Sequence, residues 1–161
     1  MKNRLVHKEE AVGLLGFLSN IFGDESVASE PDATLDDIDS IYNVISEIDQ
    51  DGAFVVFMPN EPRDGEKDVL NIQFSIENGK VGLDWVLISP INVLEKNRFI
   101  QVCQSRSTQV QEREENGCGF LRVEGGDLVA LCKEAITALY PGLQGKSLDL
   151  VVEGFEWPRN V

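Results

Sequence analysis

The sequence predicts an α+β fold, a largely antiparallel sheet covered by helices. Three observations carry this. Apolar residues recur at helical spacing up to Ile48 and at a spacing of two after it. The pairs Asn78-Gly79 and Asn116-Gly117 each stand between strand-like runs, and Asn-Gly in that setting is a strong hairpin signal. A clean helical stripe then returns at Leu128, Leu131, Cys132, Ala135, Ile136 and Leu139. Sheet and helix signals that are segregated in this way favour α+β layering.

The elements follow in order. A helix is expected over Leu5–Phe22, with Ala11, Leu14, Leu15, Leu18, Ile21 and Phe22 on one face. Gly13 and Gly16 weaken it by about 1 kcal/mol each relative to Ala. A polar loop is expected over Gly23–Ala33. Thr34 then caps a second helix, Leu35–Ile48, with Asp36 and Asp37 in its first turn, where the helix dipole favours acids. Its apolar stripe is Leu35, Ile38, Ile41, Tyr42, Ile45 and Ile48. Asp49-Gln50-Asp51-Gly52 reads as a turn, and Ala53–Met58 as a short apolar strand. Pro59 to Asp68 is a loop by composition. Leu70, Ile72, Phe74 and Ile76 alternate with Asn71, Gln73 and Ser75, a strand with one wet face. After the first Asn-Gly turn, Val81, Leu83, Trp85 and Leu87 form one face of the returning strand.

Ser89-Pro90 suits a helix start, and Ile91–Gln104 has an imperfect helical stripe, read as helix or as partly extended chain. Thr108–Glu115 is polar enough for an edge strand, and Cys118–Glu124 pairs with it across Asn116-Gly117. Gly125-Gly126-Asp127 breaks that strand and caps the helix Leu128–Tyr140, which Pro141-Gly142 ends. A last strand covers Leu148–Val152. The predicted order is α-α-β-β-β-α-β-β-α-β. With no internal repeat or linker run, the chain reads as one domain over 1–161. It has an acidic helical part at about 1–50 and a sheet-containing part at about 51–161.

Charge is the most distinctive feature. The 161 residues carry 14 Lys and Arg against 28 Asp and Glu, a net charge of −14. That excludes nucleic acid and anionic membrane as expected partners, because both need a cationic surface. The excess is local. No Lys or Arg lies between Lys8 and Arg63, a stretch of 54 residues with 13 acids, while the rest of the chain holds 15 acids and all 14 bases. Two readings follow: a solvated surface, or a patch facing a basic partner. On the second reading the candidate partner-binding residues are Asp36, Asp39, Glu47, Asp49 and Asp51, with Trp157 as a possible aromatic anchor.

Catalytic and metal motifs are weak. Glu47-Ile48-Asp49-Gln50-Asp51-Gly52 has the acceptor spacing that opens a calcium loop, but the ninth and twelfth positions fall on Val55 and Met58, which are not ligands. His7 is the lone histidine, near a terminus and beside Lys8, a poor place to hold a general base. The Gly117-Cys118-Gly119 and Gly125-Gly126 pairs read as turn residues, and Asp127 would repel phosphate. Cys103, Cys118 and Cys132 are odd in number and widely spaced, which fits neither a disulfide framework nor a zinc site. Together with the absence of a signal-peptide pattern or a long apolar run, they point to a reduced, cytoplasmic chain. No cofactor or metal is expected. Asp84 is unusual in mid-strand: it faces solvent, pairs with a base such as Arg122, or lines a cleft where it could do acid–base work.

From Ala53 to Tyr140 the element order, with the overall acidity, resembles the small chaperones of type III secretion systems. That resemblance implies a dimer that wraps an effector segment. At the same level the chain is similar to small acidic bacterial immunity proteins, which neutralise basic nuclease toxins. The expected function is a non-enzymatic protein-binding module of the immunity-inhibitor kind. A chaperone-like homodimer and an enzyme with a carboxylate site near Asp84 are the alternatives.

Overall fold

A computed structural model describes residues 30–59, 72–143 and 147–157. The helix expected over Leu5–Phe22, His7 and most of the Pro59–Asp68 loop lie outside them. Seven strands form one sheet: β1 (Glu30–Ala33), β2 (Phe54–Pro59), β3 (Ile72–Glu77), β4 (Lys80–Val86), β5 (Gln111–Glu115), β6 (Cys118–Glu124) and β7 (Leu148–Glu153). Among the described residues four α-helices accompany them: α1 (Ile38–Ser46), α2 (Pro90–Leu94), α3 (Lys96–Ser105) and α4 (Leu128–Leu139). The strand order is β1-β7-β2-β3-β4-β6-β5, and every neighbouring pair is antiparallel. The fold class is the α+β arrangement that the sequence predicts.

Both Asn-Gly hairpins form as expected. Asn78 and Gly79 have φ of 51° and 73°, and Asn116 and Gly117 have 51° and 79°, the left-handed pair that a two-residue hairpin requires. The turns fix the registers Glu77↔Lys80 and Glu115↔Cys118. The strand period then decides every face. One face presents Phe57, Phe74, Leu83, Trp85, Leu121 and Leu150 to the main core. Ile38, Ile41 and Ile45 of α1 pack there, with Phe99 of α3 and Leu131 and Ile136 of α4. Trp85 stacks on Phe99 at 5.6 Å between ring centroids and donates its indole N–H to the Asn92 carbonyl at 3.1 Å.

Four local expectations need correction. The loop over Gly23–Ala33 ends in β1, which pairs with β7; its polar, Pro-containing sequence has no strand period, so only the pairing defines it. The second helix begins as a 3-10 turn at Leu35–Asp37, and Asp37 accepts a hydrogen bond from the Thr34 backbone N–H at 2.8 Å. The segment Ile91–Gln104, read as helix or partly extended, is helical throughout but in two helices meeting at Glu95. Asn92 is buried and its side-chain oxygen accepts from the Ser89 N–H at 3.1 Å, so α2 turns a polar residue inward and leaves Leu94 81% exposed. Last, the polar face of β3 is not wet: Gln73 is 3% and Ser75 8% exposed.

Candidate functional site

Two polar features emerge, one on the surface and one inside. The surface feature is the outward side of α1 and the turn after it. With the isoleucine stripe facing the core, steps of three and four residues bring Asp36, Asp39, Asn43 and Glu47 onto the opposite side. Asp36, Asp39, Glu47, Asp49 and Asp51 are all exposed. Asp49 and Asp51 continue the line into the turn, where Asp51 accepts a hydrogen bond from the Gly79 N–H at 2.9 Å. Five of the six candidate residues therefore lie along one short stretch of surface.

The fold supplies one counter-charge that linear spacing does not show. Lys133 of α4 forms an ion pair with Asp39. Among the described residues no Lys or Arg lies within ion-pair distance of Asp36, Glu47, Asp49 or Asp51. The bases elsewhere are engaged locally: Lys96 with Glu112, Arg106 with Glu134, and Arg113 with Glu77. These pairs engage bases of the sheet region with acids of their own neighbourhood. Trp157 stands apart: it is half-buried against the main core, so only part of its ring is available to a partner.

The interior feature is a row of polar side chains on the second face of the sheet. The registers align Gln73, Asp84, Arg122 and Gln111 directly across β3, β4, β6 and β5. Asp84 is 1% and Arg122 0% exposed. Arg122 Nη1 donates to Asp84 Oδ1 at 2.9 Å, so the pairing is the one with Arg122. Asp84 Oδ2 accepts from Gln73 Nε2 at 2.8 Å and from Ser75 Oγ at 2.5 Å. The guanidinium also donates to Ser75 Oγ (2.7 Å), Glu124 Oε1 (2.8 Å), the Lys80 carbonyl (3.1 Å) and the Ser75 carbonyl (3.4 Å). Its five N–H groups thus have five acceptors, the condition under which a buried charge is tolerated.

Gly82 makes this geometry possible. A Cβ there would lie 2.4 Å from Arg122 Cζ, so only glycine lets the guanidinium lie over β4. A glycine two residues before a mid-strand Asp was the available sequence signal for the site. Gln73, Ser75, Glu77, Arg113 and Glu124 were missed because each looks like an ordinary outward-facing strand residue. Burial pushes the Asp84 carboxyl up from its ordinary range, opposed by the Arg122 charge and by hydrogen bonds from Ser75 and Gln73. Burial pulls the Arg122 guanidinium down, but Asp84, Glu124 and Glu77 outweigh it and hold the group charged. Both Asp84 oxygens are engaged, so the carboxylate is placed as a cross-strand clamp and not as a free base.

Comparison with protein-family models, curated proteins and solved structures finds no match to this chain.

The thiols offer little reactivity. Burial pushes Cys103 up to about 11 and raises Cys132 further, while burial and the nearby Glu114 charge raise Cys118. Thiols shifted this way are poor nucleophiles near neutrality. Among the described residues no group of three or more His, Cys, Asp or Glu side chains is arranged to hold a metal ion. No described helix is long and apolar enough to cross a membrane.

Proposed function

We propose that this chain is a non-enzymatic protein-binding module whose acidic α1 surface meets a basic protein partner, a toxin or effector, as an immunity-type inhibitor does. The carrying observation is the exposed line Asp36, Glu47, Asp49 and Asp51, which has no ion-pair partner among the described residues. Like charges along one surface repel each other, and a cationic partner relieves that repulsion. Such complementarity mainly accelerates association and selects the partner. The engagement of Asp84 by Arg122, Ser75 and Gln73 supports a structural over an enzymatic role for that carboxylate.

The test is capture from the native cell extract on immobilised chain, eluted by a salt gradient. The wild type should retain a basic protein that salt releases, and D36K/E47K/D49K should lose it. Retention of the same protein at the same elution salt would refute the proposal.

One observation favours the chaperone-like homodimer as a second reading. Val93 and Leu94 are 54% and 81% exposed and adjacent on α2, an apolar pair that a second copy or an effector segment could cover. Sedimentation decides it: this reading requires a dimer that V93S/L94S weakens, and a strictly monomeric species counts against it.

A further inference from the structure

The chain contains two Asn-Gly pairs, Asn78-Gly79 and Asn116-Gly117, and both sit at hairpin tips of matched geometry. Asn78 and Asn116 each have φ of 51°, and all four residues are exposed. The tips differ in two respects. The Gly79 N–H donates to Asp51 Oδ1 at 2.9 Å, whereas no described residue accepts from the Gly117 N–H. Backbone bonds hold Asp51 beside the first tip: the Gly52 N–H donates to the Ile76 carbonyl and the Ile76 N–H to the Ala53 carbonyl, each at 2.9 Å. The second difference is place in the sheet. β3 and β4 each have a strand on both sides, but β5 is an edge strand paired with β6 alone.

We propose that Asn116 is a site of spontaneous deamidation and that Asp51 guards Asn78 against the same reaction. The glycine backbone nitrogen gives its proton to solvent hydroxide and attacks the Asn side-chain carbonyl carbon, Cγ. A bond forms between that nitrogen and Cγ, the Cγ–Nδ2 bond breaks, and ammonia leaves with a proton from water, which regenerates hydroxide. Water then opens the cyclic imide at either carbonyl, to an aspartyl or an isoaspartyl residue. Water is the co-reactant, and nothing is oxidised or reduced. Glycine favours the attack because no Cβ shields its nitrogen and its backbone rotates freely.

Both barriers are lower at Asn116. The left-handed Asn of a two-residue hairpin holds its side chain away from the next nitrogen, so the turn has to open before the ring can close. Opening costs less at an edge strand held by one pairing than between strands held on both sides. At Gly79 the proton that must leave is the one Asp51 accepts, and the carboxylate charge opposes an anion forming beside it. A carboxylate is far too weak a base to take an amide proton itself. An isoaspartyl residue at 116 routes the chain through its side-chain carbon and adds an atom to the turn. The register Glu115↔Cys118 depends on that turn, so the modification loosens β5 and frees Arg113 from Glu77.

Ageing the full chain at mildly alkaline pH, with peptide mapping by mass spectrometry, tests the proposal. In the folded chain Asn116 should convert about tenfold faster than Asn78, and the two rates should converge in urea. Conversion of Asn78 as fast as Asn116 in the folded chain would overturn the proposal. So would a difference that persists in urea, because it would then belong to local sequence. D51A should raise conversion at Asn78 by about fivefold and leave Asn116 unchanged. D51N, which removes the charge at constant shape, serves where circular dichroism shows that D51A does not fold, and it too should raise Asn78. An unchanged Asn78 rate in the folded variant would overturn the guarding role.

Discussion

At the residue scale the Asp84–Arg122 pair has the clearest energetic consequence. R122M leaves a buried carboxylate without its cation, which should cost about 3–5 kcal/mol in urea unfolding. Replacing both partners, as in D84L/R122M, should cost clearly less than R122M alone, because no orphaned charge remains. Additive losses would show that the two groups do not act as a unit. G82A should cost about 1–3 kcal/mol, since its new Cβ meets Arg122 Cζ at 2.4 Å. Glu124 supplies a pH dependence. A hydrogen bond from Arg122 holds its carboxyl below the usual carboxylate range. A depressed folded value contributes stability above the unfolded pKa and loses it as pH falls through the folded one. E124Q should therefore flatten the acid side of the stability curve. Asp84 is shifted the other way and acts with opposite sign, so an unchanged acid limb in E124Q would remove Glu124 from the account.

At the element scale packing sets the magnitudes. α4 buries Leu131, Ile136 and Leu139 against the sheet, and L131A should lose about 2–5 kcal/mol. Differential scanning or urea titration checks it, and a loss below about 1 kcal/mol would mean that the site collapses freely. Period and turn chemistry made most elements legible: α1, α4 and both hairpins follow from side-chain spacing and from Asn-Gly. The rest was hidden for physical reasons. β1 exists through its pairing with β7, which no local pattern encodes. The break at Glu95 depends on Asn92 being turned inward beneath Trp85. The polar face of β3 looked wet because Gln73 and Ser75 are common surface residues. Only the partners on β4 and β6 make them interior.

At the scale of the whole molecule, charge is sorted by element. The candidate acids on α1 and its turn were legible as residues from a base-free run of sequence. The ion pair of Asp39 with Lys133 was not, because it joins positions 94 apart in the chain. Among the described residues Glu77, Glu112 and Glu134 each pair with a base, whereas Asp36, Glu47, Asp49 and Asp51 do not. On the proposed reading this asymmetry would give a basic partner a defined address, which separates a located surface from a general effect of net charge.

The most direct measurement compares two charge-neutralised triples of equal count in the salt-eluted capture. One is D36N/E47Q/D49N in the turns that flank α1. The other is E112Q/E114Q/E115Q on the exposed edge strand β5. A docking surface on α1 predicts that the first triple loses the basic partner or elutes it at lower salt, while the second behaves as wild type. Equal losses from both triples would contradict the account, because the interaction would then follow total charge and not its position.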